Sequence, residues 1–329
     1  MPSSPASGIA PSPVKSLLAI RLTAMGDIIQ RIHVTAALAR QLPECRITWL
    51  VRDRFAPVTR IFASVHDTIP WSREAGLRGF FDVWRALRRR RFDVVWNMHG
   101  MLRDSTMALF ARAPEKWMQR SRRWPQRHFG FRQLEIPAAL HDAHVVTRQQ
   151  IYLQALGLST AIPHPLELRP GPVFDWQPFF SGDPLRTFVI CTDSSKPAKN
   201  WPGFEALTHL ILERIPESRV AWCAGRQTAL LRPPPAGRFL NLTGVSLEET
   251  VALIRQPSVF IGNDTGPTHL AGAVGNRVLA LFGPTSPRRY APWPVGGPRS
   301  QVLVAPDRRL ERLDPETVFA ALDELRHRG

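Results

Sequence analysis

A chain of 329 residues with 44% hydrophobic content has enough material for two ordinary domains, and its formal net charge of +16 points to an anionic partner: nucleic acid, an anionic membrane surface or a phosphorylated substrate. No apolar stretch approaches the length that crosses a bilayer. Cys45, Cys191 and Cys223 lie far apart, in or beside apolar runs, so they fit neither a disulfide framework nor a Cys-x-x-Cys zinc site and read as buried thiols in a reducing cytoplasm.

Residues 1–15 are rich in Ser, Pro and Ala, with no basic start followed by an apolar core, and read as a disordered tail. Ser16 to Leu22 predicts a buried strand, and residues Thr23 to Asp27 a turn into a helix over Ile28 to Gln41. Arg46 to Val51 and Phe92 to Trp96 predict further strands, the second ending at Asn97-Met98-His99-Gly100. A helix over Val145 to Leu156 closes this half, a domain of residues 16–165. Prolines then crowd the chain, and residues 166–185 read as a linker. The pattern restarts in a second domain, residues 186–312. It has strands at Thr187 to Cys191 and Arg219 to Cys223, and helices at Gly203 to Arg214 and Leu247 to Ile254. A last helix, within residues 313–329, has Asp314 as N-cap and Pro315 at its first position. Strands alternating with helices predict parallel sheets covered on both faces, hence two α/β domains about a cleft.

The segment 260–284 is the most informative. An apolar strand, Val259 to Ile261, ends at Gly262; Asn263 to Gly266 form a polar loop; His269 to Val274 read as a short helix; Val278 to Phe282 are a second strand. The loop opens onto a helix N-terminus, where N–H groups and the helix dipole favour an anion. Thr265, Thr268 and His269 offer side-chain donors, and Gly266 permits close approach to the backbone. Ser194, Ser195 and Lys199 follow the strand Thr187 to Cys191, so a cation and two hydroxyls open on the same sheet edge. Alone, this segment is one more βαβ crossover and Lys199 a solvated lysine. Asp27, at the end of the first strand, reads as a first-turn acid of its helix or as a general base at the cleft.

Together the motifs resemble glycosyltransferase family 9, the bacterial lipopolysaccharide heptosyltransferases. Asp264-Thr-Gly-x-x-His269-Leu-Ala is close to the family signature, with Gly272 in place of the usual Ala; Lys199-Asn-Trp-Pro matches its lysine loop and Gly26-Asp27 its N-terminal motif. The resemblance implies a GT-B fold of two Rossmann-like domains, whose last helix packs back on the N-terminal domain. It implies an inverting transferase that takes heptose from ADP-heptose. Asp27 is then the base, and Ser194, Ser195, Lys199, Asp264, Thr265, Gly266, Thr268 and His269 hold the donor and its diphosphate. No Asp-x-Asp pair stands at a strand end, so neither metal nor other cofactor is expected. Two departures stand out: His33 replaces the usual Pro six positions after Asp27, and the turn Ala224-Gly225-Arg226-Gln227 lacks the acid that binds the nucleoside.

In this fold the N-terminal domain binds the acceptor, a lipopolysaccharide core or other anionic surface glycan. Arg52, Arg60, His99, Arg120, Arg122 and Arg148 are its candidate contacts, with Arg54 in the same domain. Residues 116–132 interleave Arg and Lys with Trp117, Trp124, Phe129 and Phe131, a mixture that suits single-stranded nucleic acid, a lipid headgroup or a carboxylated sugar. The resemblance favours a glycolipid. The expected protein is therefore cytoplasmic, peripheral on the inner membrane, and not a nucleic-acid binder. The rival reading is a non-catalytic nucleic-acid or membrane-binding protein on the same scaffold, supported by charge alone; another nucleotide-sugar donor is the nearer alternative.

Overall fold

The computed structural model describes residues 14–120, 130–194, 196–232, 234–235 and 237–328. The tail expected over residues 1–15 lies outside them up to residue 13. The first domain runs β1 (Ser16–Ile20), α1 (Met25–Gln41), β2 (Arg46–Arg52), α2 (Ala56–Arg60), β3 (Asp67–Trp71), α3 (Gly76–Arg88), β4 (Val94–Asn97), α4 (Leu102–Phe110), β5 (Glu115–Gln119), β6 (Arg132–Leu134), α5 (Val145–Gln149) and α6 (Ile151–Ala155). The second runs β7 (Thr187–Cys191), α7 (Phe204–Arg214), β8 (Arg219–Ala224), β9 (Phe239–Thr243), α8 (Leu247–Ile254), β10 (Val259–Asn263), α9 (Gly266–Ala273), β11 (Arg277–Phe282), α10 (Pro287–Tyr290), β12 (Ser300–Val304) and α11 (Pro315–His327).

Each domain holds one six-stranded sheet, ordered β3-β2-β1-β4-β5-β6 and β12-β11-β10-β7-β8-β9, with parallel pairing throughout. The central strands β7 and β10 are buried along their whole length, as a sheet covered on both faces requires. The expected α/β class with two Rossmann-like domains is observed. In each sheet the chain begins near the middle and winds outward in both directions, so β1 lies against β4 and β7 against β10. Connections leave opposite faces at these two points, and a crevice opens at the carboxyl ends of the strands.

Two expected elements shift. β10 continues through Gly262 and Asn263, so α9 begins at Gly266, three residues before His269. The helix expected over 145–156 is interrupted at Gln150 and becomes α5 and α6. Asp314 caps α11 by accepting from the Thr317 N–H. The expected return of that helix to the N-terminal domain is corrected. Val318, Ala321, Leu322 and Leu325 make an apolar stripe that packs into the second domain's own core, with Leu207 and Ile211 of α7 and Leu279 of β11. An Arg214–Glu316 ion pair and the Arg277 bond to the Leu325 carbonyl fix it there.

The domains are joined by packing as well as by chain. α1 lies against α9 and α2 against α8, and one apolar cluster runs from Ile28, Ile29 and Ile32 into Leu270, Ala271 and Ala273. The segment expected to be a free linker straps both halves. Leu168 bridges Phe62, and the N–H groups of Leu166 and Arg169 donate to the carbonyls of Ala273 and Ile61.

His33 is buried at this interface, its ring 6.5 Å from that of His164. Burial, then the neighbouring His164, His144 and His269, pushes its imidazole down to about 3. His144 is buried with its Nε2 2.9 Å from the Ala291 carbonyl oxygen, and burial takes it to about 4. Both are neutral when folded, whereas the unfolded chain protonates them below about pH 6.5. The unfolded state then binds more protons, so stability falls as pH drops from about 6.5 towards 4. The melting temperature is expected to fall over that window, and less steeply in His33→Gln. An equal pH slope in the two proteins, by calorimetry, would rule His33 out as a contributor.

Candidate active site

The second-domain half of the site is built from the ends of β7 and β10. After Asn263 the chain makes a two-residue turn, Asp264-Thr265, into α9. Asn263 is fully buried and organises that turn: its side-chain oxygen accepts from the Trp201 N–H at 3.2 Å, and its carbonyl accepts the Thr268 hydroxyl at 2.5 Å. Trp201 donates its indole N–H to the Leu313 carbonyl and packs edge-on to Phe204, which ties down the loop carrying Lys199.

Asp264 is the electrostatic centre. One carboxylate oxygen accepts from Lys199 Nζ at 2.5 Å and from the Thr285 hydroxyl at 2.6 Å; the other lies 3.3 Å from His269 Nε2. His269 Nδ1 lies 3.4 Å from the Gln30 amide nitrogen of the first domain. Burial alone would raise the Asp264 carboxyl. The hydrogen bond and charge of His269, then Lys199 and Thr285, outweigh it and hold the group well below the usual carboxylate range.

The first-domain half lies at the end of β1. Asp27, in the first turn of α1, sits between two guanidinium groups: Arg21 at 2.6 Å on one oxygen and Arg31, one helical turn on, at 2.9 Å on the other. Arg31 Nε donates to the Met98 carbonyl at the end of β4, so the clamp spans the switch point of the first sheet. Burial pushes the Asp27 carboxyl up, but Arg31 and Arg21 pull it down further, and it lies below its usual value.

Both halves face one cavity of about 680 Å³ between the domains. Six cations line it (Arg21, Arg31, Arg54, Arg148, Lys196, Lys199) against three carboxylates (Asp27, Asp193, Asp264), which makes it a site for an anion. Of the expected residues, Asp27, Ser194, Lys199, Asp264, Thr265, Gly266, His269 and Arg148 line the cavity. Thr268 does not: it is fully buried and its hydroxyl is committed to the Asn263 carbonyl, so it shapes the turn. Four expected acceptor contacts also lie elsewhere. Arg52 pairs with Glu74, Arg120 with Glu135 and His99 with Asp104, while Arg60 is exposed at the end of α2. Ser195 and Arg122 lie outside the described residues.

Arg21, Arg31 and Asp193 were missed. Arg21 follows the end of the first strand and Arg31 is four residues after Asp27, so strand end and helical spacing together would have found them. Asp193, at the end of β7, accepts from the Gly225 N–H at 3.1 Å and so reaches the turn that lacks the family's acid.

Two doubly wound sheets with a polar cleft between their carboxyl edges define the GT-B fold. Sequence comparison narrows the class. Residues 80–308 match glycosyltransferase family 9 (heptosyltransferase), and the chain belongs to that family. It is similar to lipopolysaccharide core heptosyltransferase OpsX of Haemophilus influenzae, 24% identical over 292 residues covering 85% of this chain and 82% of that one. Its fold is similar to that of the family 9 glycosyl transferase of Veillonella parvula (TM-score 0.77, 19% identity, covering 95% of this chain and 97% of that one). It is also similar to E. coli heptosyltransferase WaaC, solved with ADP (TM-score 0.72, 20% identity, 94% and 99% covered) and with ADP-2-deoxy-2-fluoro heptose (TM-score 0.70).

The two glycines at the helix starts set the fit of this site. A Cβ on Gly26 would stand 2.5 Å from His269 Cδ2, and one on Gly266 would stand 2.6 Å from the Met25 side chain. Gly26→Ala is expected to push the His269 ring away from Asp264 and to cost about 1–3 kcal/mol by overpacking. A denaturation midpoint equal to that of the unsubstituted protein would contradict the fit described.

Proposed function

We propose that the enzyme transfers a heptose from ADP-heptose to a sugar hydroxyl of a lipopolysaccharide core, or of a similar anionic surface glycan, with inversion and without a metal ion. The observation that carries the reading is that Asp27 of one domain and Lys199 with the α9 N-terminus of the other face the same cavity. The likeness to OpsX, a lipopolysaccharide core heptosyltransferase, and to WaaC, solved with ADP and with ADP-2-deoxy-2-fluoro heptose, supports this donor and acceptor.

In this reading the acceptor hydroxyl attacks the anomeric carbon and passes its proton to Asp27. The bond between that carbon and the β-phosphate oxygen breaks, and its electron pair leaves with ADP. Asp27 is ionised at neutral pH because Arg21 and Arg31 hold it so. A weak base suffices, since the hydroxyl becomes acidic only as its bond to carbon forms. Charge growing on the diphosphate meets Lys199 and the N–H groups that open α9 at Gly266. Asp264 holds Lys199 and His269 in place, and Thr285 fixes Asp264. Asp193 supplies the acid absent from the 224–227 turn and accepts a ribose hydroxyl. Arg54 and Arg148 take the anionic groups of the acceptor. Since that acceptor is a glycolipid, the enzyme works as a peripheral protein on the cytoplasmic face of the inner membrane; among the described residues no helix is long and apolar enough to cross a membrane.

Release of ADP from ADP-heptose in the presence of a core acceptor tests the activity. Asp27→Asn keeps the shape and loses the basicity, so turnover is expected to fall about a hundredfold or more while ADP binding holds. Chelation of divalent ions is expected to leave turnover unchanged. Near-normal turnover in Asp27→Asn removes that residue from the chemistry. For the diphosphate site, Lys199→Ala is expected to weaken ADP by roughly 1.5–3 kcal/mol and adenosine far less. Calorimetry with both ligands decides it, and an unaltered preference for ADP would place the phosphates elsewhere.

A further inference from the structure

We propose that the outer face of α3 is the surface on which this enzyme docks to an anionic lipid bilayer. The helix, Gly76–Arg88, carries more apolar surface than its core contacts use. Gly79, Val83 and Leu87 are buried, and Val83 and Leu87 pack into the core cluster that contains Leu18, Ile20 and Val95 of the sheet. Beside that face, turned toward solvent, Leu77, Phe81 and Trp84 are 88%, 56% and 40% exposed. Their spacing of four and three residues stacks them in one stripe along the helix. The Phe81 and Trp84 rings stack on each other at 5.3 Å, so they present one aromatic ridge. Leu102 and Leu109 of α4, which packs beside α3, are exposed as well. A surface helix that already supplies its core contacts has no folding reason for such a ridge.

The charges around the ridge say what it fits. Arg78, Arg85, Arg88 and Arg89 are exposed, and Asp82 is the one acid in the helix. An apolar ridge bordered by arginines on one helix face is the pattern of a helix lying in a bilayer interface: the rings enter at the boundary between headgroups and acyl chains while the guanidinium groups bind lipid phosphates. A second copy of the chain is the poorer occupant, because a two-fold contact would set these arginines against themselves. The position fits too. α3 follows the carboxyl end of β3, so Leu77 lies at the edge of the sheet where the cleft opens. The helix contacts between domains are α1 with α9 and α2 with α8, so docking through α3 leaves them untouched.

This inference rests on the peripheral-membrane part of the proposed function, but its test needs no turnover. The full chain is sedimented with vesicles of phosphatidylethanolamine and phosphatidylglycerol, and with vesicles of phosphatidylcholine alone. Binding is expected to the anionic vesicles, weakening with salt. The triple variant Leu77→Ser, Phe81→Ser, Trp84→Ser is expected to bind them about tenfold or more weakly, with ADP binding intact as a check on its fold. Should that variant not fold, Arg85→Glu with Arg88→Glu, at exposed positions, is expected to lose a similar factor. Equal binding to both vesicle types, or variants that bind like the unsubstituted protein, would overturn the proposal. So would a dimer in solution that the triple variant converts to monomer, since the face would then be a self-interface. Vesicle binding that behaves as expected in a chain that releases no ADP from ADP-heptose would sink the transferase reading and leave the docking face standing.

Discussion

Two helix N-termini, one from each sheet, meet across a pair of glycines, and the rest of the molecule is arranged around that approach. Gly26 leaves room for the His269 ring and Gly266 for the Met25 side chain. A side chain at either position would hold the helices apart. Because the helices approach, His269 can touch Asp264 within its own domain and Gln30 in the other. The same approach brings the ends of β1 and β10 to one cavity. The glycines therefore act through what they omit, and they do so at two positions where the backbone conformation is ordinary for any residue.

Around that contact the charges are arranged in clamps. Each cleft carboxylate of the first and last motifs is held by cations: Asp27 by Arg21 and Arg31, Asp264 by Lys199 with His269 beside it. Burial by itself would neutralise both acids by raising them, and the clamps reverse that outcome. The clamps also orient. Arg31 reaches the Met98 carbonyl at the end of β4 and Thr285 reaches Asp264, so neither acid depends on a single partner for its position.

How much of this was legible in the sequence depended on distance along the chain. The second-domain half was readable because its parts are local: strand, turn and helix N-terminus fall within residues 259–274, and Lys199 follows a strand of the same sheet. The helix start was misplaced, since Gly262 looked like a strand end although β10 continues through it, and with it Thr268, which turns into the fold and not into the cavity. The acceptor half was read poorly because arginines are plentiful and their partners are remote. Arg52 is drawn to Glu74, Arg120 to Glu135, and His99 to the buried Asp104, pairings that no local pattern announces. Arg148 and Arg54, by contrast, line the cleft cavity. The final helix was assigned by analogy to the wrong domain, although its own stripe of Val318, Ala321, Leu322 and Leu325 required only an apolar partner, which the nearer sheet provides. The edge strands β6, β9 and β12 are partly exposed and carry weaker apolar runs than the central ones.

The apolar cluster that passes from α1 into α9 bears on how the molecule comes apart. Chains built of two sheets are often treated as separable modules, each with its own melting transition. Here the inner faces of the two halves form one continuous core, and the strap at Leu166 to Arg169 is hydrogen-bonded to both. Cutting the gene at the domain boundary would uncover Ile28, Ile29 and Ile32 on one fragment and Leu270, Ala271 and Ala273 on the other. Each fragment would then expose apolar side chains that the whole chain keeps from water. The folding unit of this protein is thus larger than its architectural unit, and loss of order in either half propagates to the other.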